Sequence, residues 1–93
     1  MANETLSNEN ILTKVKTALG ITGDYQNETL NVYIDDVMSF MRFAGISEEV
    51  LHSGVAVGVI CRGVTDLWNY GSGNAQLSEY FKQRVTQLML SEV

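Results

Sequence analysis

The stretch "GVAVGVICRGV", residues 54–64, is the least polar run in the chain, and Arg62 is its only charged residue. Its glycines and valines are poor helix formers, so propensity alone argues against a helix. The wider pattern argues for one. From residue 48 to residue 70, Val50, Gly54, Val57, Cys61, Val64 and Trp68 recur alternately four and three apart. That is the spacing of one helical stripe, whereas the alternation of a strand fails at Gly58, Arg62 and Thr65. A strand that long would also be abnormal. No apolar run approaches the roughly 18 residues needed to cross a bilayer. The spacing therefore predicts a single long helix over 48–70. Ala56, Ile60, Gly63 and Leu67 give it a second apolar face, and Val55 and Val59 nearly close a third. A helix apolar almost all round belongs at the centre of something.

Outward from this rod, three more amphipathic helices are legible. Residues 8–19 align Ile11, Leu12, Val15, Ala18 and Leu19, with Lys14 and Lys16 facing away. Residues 28–44 align Leu30, Ile34, Val37, Met41 and Ala44, flanked by Tyr33, Met38 and Phe40. Residues 78–90 align Phe81, Val85 and Leu88, with Leu77 just ahead. Ser7, Asn27, Ser47 and Ser78 stand as N-caps, each with an acid soon after it to meet the positive end of the helix dipole. Gly20, Gly45 and Gly71 are the expected stops. There is no proline to interrupt a helix. The expectation is an all-α fold: a small bundle of about four helices with a long central helix, one domain over residues 1–93, with residues 1–6 flexible.

A bundle this small has few places to enclose one helix completely, and a chain of 93 residues buries only about 60–65% of its unfolded surface. Apolar residues off the main stripes add to the surplus: Val32 and Phe43 on the polar side of the second helix, Leu90 on that of the last. Gly54 and Gly58, four apart, leave a groove that another helix could approach closely. Tyr70, at the end of the central helix, is of a type that anchors interfaces. Val32, Phe43, Gly54, Gly58, Tyr70 and Leu90 are therefore the candidate subunit interface.

Chemistry is sparse. A catalytic role for His52, the only histidine, would need an orienting acid and a nucleophile or substrate nearby; nothing in its neighbourhood suggests such an arrangement, and it reads as a solvated surface residue. Cys61, the only cysteine, falls on the main stripe and reads as a small core hydrophobe. One His and one Cys make no ordinary zinc site. Adjacent Asp35 and Asp36 diverge by about 100° on a helix and cannot act as a tight pair. "GSGN" at 71–74 lacks the Lys-Ser or Lys-Thr and the preceding strand of a phosphate loop. No catalytic, cofactor or metal residue is assigned, and an enzyme is not expected. The net charge of −5, with only six Lys and Arg, all scattered, opposes phosphate binding by a basic patch. "MANETLSNEN" lacks the basic and apolar regions of a secretion signal.

Two segments carry a family resemblance. "ILTKVKTALGITGDYQNETLNVYIDDVMSFM" offers Val15-Lys16, Leu19-x-Ile21, Asp24, Glu28-x-Leu30 and Tyr33-Ile34. "GVTDLWNYGSGNAQLSEYFKQRV" offers an aromatic-ended helix, a polar loop, and Leu77-Ser78-x-Tyr80-Phe81-Lys82-x-x-Val85. Together, over more than half of the chain, they resemble the head–tail connector family of tailed bacteriophages, also called head completion or DNA packaging proteins. Members often end near Gln-Leu-Arg, where this chain reads Gln87-Leu88-Met89. The resemblance implies a non-enzymatic helical subunit of a virion or prophage, assembled in the host bacterial cytoplasm. It implies a homo-oligomeric ring beneath the portal protein, docking a downstream tail or stopper protein and passing double-stranded DNA without sequence-specific binding, with no membrane partner and no cofactor. The alternative reading is a small helical DNA-binding regulator, in which the second and third helices with the "GIS" turn imitate a helix-turn-helix. Glu48 and Glu49 would then stand where base contacts belong.

Overall fold

The computed structural model describes residues 6–70 and 78–91, the side chains of Tyr70 and Ser91 excepted. Among the described residues there are five helices and no strand: α1 (Asn8–Leu19), α2 (Asn27–Phe43), α3 (Glu48–Leu51), α4 (Gly54–Tyr70) and α5 (Glu79–Ser91). The architecture is the all-α bundle with a long central helix that the pattern predicts.

The caps explain most of the boundaries. Ser7 Oγ accepts from the Asn10 N–H at 3.1 Å to start α1. Gly20, at φ 72°, stops it, and the Ile21 N–H returns to the Lys16 carbonyl at 2.9 Å. Asn27, expected as a cap, is instead the first residue of α2, behind Gln26, whose side chain makes no capping bond. Asn27 turns its amide onto Asp24 at 3.3 Å. Gly45 follows α2 at φ 110°, a backbone position that a side chain would strain.

The single rod expected over 48–70 is broken at His52 and Ser53. Both the N–H and the Oγ of Ser53 bond the Val50 carbonyl, at 3.0 and 2.7 Å, where a continuous helix would bring the Gly54 N–H. This is the competition that serine offers a helix backbone. The Ala56 N–H then turns to the Ser53 carbonyl at 3.2 Å, which leaves the His52 carbonyl free to take the Leu6 N–H. Leu6 is buried, so the segment expected to be loose is docked at its last residue.

Helix α4 packs against each of the other four helices. The stripe expected to be most buried is only partly so: Val50, Val57, Cys61 and Trp68 are half-buried and Gly54 is exposed. The second face carries the core, with Ala56, Ile60, Gly63 and Leu67 closed off together with Val59 and with Val64 of the first stripe. They join Ile11 and Val15 of α1, the Leu30, Ile34, Val37, Met38 and Met41 face of α2, Leu51 of α3, and Phe81, Val85 and Leu88 of α5. Each such aliphatic or aromatic side chain contributes about 1.5–3 kcal/mol when fully buried. The enclosure that composition assigned to other subunits is thus supplied largely by the chain itself.

Gly63 is where three helices meet. A Cβ there would lie 2.7 Å from the Phe81 ring and 2.8 and 3.0 Å from the two Val37 methyls. Gly54 and Gly58, by contrast, have open space beside them. Gly63→Ala is therefore expected to lower stability by about 1–3 kcal/mol despite its better helix propensity. Gly58→Ala should raise it by up to about 1 kcal/mol. Urea denaturation of the two variants reads the opposite signs directly.

Candidate assembly interface

No arrangement of the described side chains resembles a catalytic site. His52 caps the end of α3, with Nδ1 3.0 Å from the Glu48 carbonyl and 4.0 Å from the Glu48 carboxylate, while the neighbouring Ser53 hydroxyl is turned onto the Val50 carbonyl. Burial pushes the half-buried Cys61 thiol above its ordinary pKa, with Lys14 acting weakly the other way. Among the described residues no group of three His, Cys, Asp or Glu is placed to hold a metal ion. None of their helices is long and apolar enough to cross a membrane.

Exposed apolar and charged faces are what remain. On α2, Val32 is 64% and Phe43 99% exposed. They are eleven residues apart, which puts them within about 20° of each other on the helix, some 16 Å apart along it. Asp36 is exposed on the same line, and Asp35 beside it. The only cation of α2, Arg42, forks onto the Glu48 carboxylate, with Nη2 to Oε1 at 3.1 Å and Nε to Oε2. The outward side of α2 therefore combines apolar side chains with unbalanced negative charge.

The seam between α4 and α5 has the opposite character. Gly54, Val55, Gly58 and Arg62 form the exposed side of α4. An open groove beside them is lined by Val55, Val59, Arg84, Gln87 and Leu88. Arg62 stacks over the Tyr80 ring at 5.4 Å, and Arg84 Nη1 donates to the Tyr80 hydroxyl at 3.4 Å.

Beneath them lies a residue that the sequence pattern did not mark. Asp66 is only 3% exposed. Its Oδ1 meets Arg62 Nη2 at 3.3 Å, and its Oδ2 takes the Ser78 N–H at 3.1 Å and the Ser78 Oγ–H at 2.7 Å. Ser78 Oγ in turn accepts from the Phe81 N–H at 3.1 Å, the cap expected for α5. The signal was present as Arg62 and Asp66 one helical turn apart, but only the fold brings Ser78 to the same carboxylate.

Of the six candidate interface residues, Val32 and Phe43 share one face, and Gly54 and Gly58 share another. Leu90, 65% exposed, points outward from α5, half a turn from Phe81. The side chain of Tyr70 lies outside the described residues.

The family model of phage gp6-like head-tail connector proteins matches residues 9–92. The chain belongs to this family. No curated protein and no solved structure gives a significant match. The connector family is one of structural phage proteins, so this connector has a structural role as a virion component.

Two tests probe the polar supports of the connector. Asp66→Ala should cost about 2–3 kcal/mol, because it strips Ser78 and Arg62 of a buried charged partner. Asp66→Asn, which keeps an oxygen for Ser78, should cost less than half of that; thermal denaturation measures both. The exposed Glu48 carboxyl lies below its ordinary value of 4.5, first because Arg42 hydrogen-bonds it and then through the charge of Arg42. A lowered folded-state pKa stabilises above the unfolded value and is lost as pH falls through the folded one. Stability should therefore decline below about pH 4.5, and Glu48→Gln should flatten that decline in denaturation curves taken across acid pH.

Proposed function

We propose that this connector assembles as a closed ring beneath the portal, lengthens the DNA channel and offers a docking surface to a tail or stopper protein. Family membership across residues 9–92 is the observation that carries the reading. The exposed side chains supply its physical means: a virion part that meets several partners needs apolar surface left outside its own core, and Phe43 is almost wholly outside it. Val32, Phe43, Gly54, Gly58, Tyr70 and Leu90 are the proposed subunit-contact residues.

The net charge of −5 suits a wall along which DNA must slide, because like charges discourage tight phosphate contacts. Double-stranded DNA then passes without sequence recognition. A regulator that reads DNA is disfavoured: the helix it would insert begins with α3, a single turn carrying Glu48 and Glu49, and breaks at His52.

Light scattering coupled to size exclusion tests the ring, with the connector alone and with purified portal protein. The expected result is a discrete multimer, or a portal-bound complex containing many copies. A strict monomer that leaves the portal unbound would overturn the reading.

A further inference from the structure

We infer that the outward face of α2 on one copy seats on the α4–α5 seam of the next, so that copies join head to tail through two different faces. This rests on the ring reading and adds to it which surfaces mate.

The first observation is direction. Helix α2 turns Val37 inward against Gly63 of α4. Val32 and Phe43 stand on the far side of α2, and Gly58 and Arg62 on the far side of α4. Two helices packed inner face to inner face point their outer faces away from each other, so the two surfaces lie on opposite sides of the molecule. A two-fold contact would set the acids of one α2 face against those of its copy, or the cations of one seam against those of its copy, whereas contact between the two faces sets acid against base. Different faces on opposite sides are what a head-to-tail contact requires, and rotation between successive copies closes it into a ring.

The second observation is complementarity. The α2 face carries Asp35 and Asp36 beside Val32 and Phe43, and its one cation is held by Glu48. The seam carries Arg62 and Arg84 around Tyr80, and the one carboxylate beneath them, Asp66, is buried and bonded to Ser78. Acid with apolar on one side meets base with apolar on the other.

The third is preorganisation. Asp66 and Tyr80 hold Arg62 from two directions while its side chain stays 45% exposed. A guanidinium already held in place loses little freedom when it binds a carboxylate. Gly58 beside it presents bare backbone with open space, where a large side chain such as Phe43 can settle.

Two substitutions block one face each without touching the core. Phe43→Glu alters a side chain that makes almost no contact within its own chain, and Gly58→Glu fills open space on a helix surface. Both should keep the helical circular dichroism and melting behaviour of the parent. Each alone should be monomeric at concentrations where the unaltered chain assembles. Mixed in equal amounts, they should form a pair of twice the monomer mass and nothing larger, because one intact contact remains between them. As a second measurement, Asp36→Arg should weaken assembly at least tenfold, and adding Arg84→Glu to the same chain should restore it. If either blocking variant still assembles by itself, or if the mixture stays monomeric and the charge exchange restores nothing, the assignment of faces is overturned while the ring stands. If the unaltered chain never assembles, alone or on the portal, both fall together.

Discussion

The absent side chain at Gly63 sets the distance at which α2, α4 and α5 can meet. With Phe81 and Val37 already inside the space a Cβ would need, α4 lies deep between its neighbours and closes most of its own apolar circumference. The rest of the bundle follows from that approach. Phe81 anchors α5 and also meets Phe40 of α2 at a centroid distance of 5.6 Å. Tyr33 of α2 and Trp68 of α4 make an edge contact at 6.3 Å. One glycine thus does for the interior what the Gly54 and Gly58 pair was expected to do for an outside partner, and those two remain open to whatever approaches.

Much of this is legible in the amino-acid sequence. Helix α1 was readable to the residue, because Ser7, Gly20 and the Ile11–Val15 stripe all agree. The core face of α2 was equally clear, since its apolar positions keep strict helical spacing. The break at His52–Ser53 was hidden because apolar periodicity runs straight through it. What interrupts the helix is a serine bonding the preceding turn, a local competition that periodicity does not record. The choice between the two apolar faces of α4 was hidden for a related reason. Glycine and other apolar residues populate both, and only the position of Phe81 and Val37 decides which is inside. Asp66 escaped because a lone acid on an apolar helix says nothing of a serine twelve residues on.

The candidate surface was legible in part. Val32, Phe43 and Leu90 were recognisable as apolar residues off their stripes, and all three are exposed. Their grouping was not, because it depends on which side of the bundle each helix faces. The cationic seam was invisible in a chain whose six basic residues are scattered. Folding collects Arg62 and Arg84 around one tyrosine, while Lys16 is held by Asp24 at 3.1 Å and Arg42 by Glu48. A mildly acidic protein thus acquires a polarity across its width that net charge alone conceals.

A hydroxyl has a single proton, and Ser78 directs it at Asp66. Its lone pairs are thereby aimed at the Phe81 N–H, so the first turn of α5 is oriented by a carboxylate that belongs to α4. Helix nucleation is the costly step for a short helix, and here it is conditional on another helix being in place. The last helix is consequently not an autonomous module: it should gain and lose order in the same cooperative step as the central one.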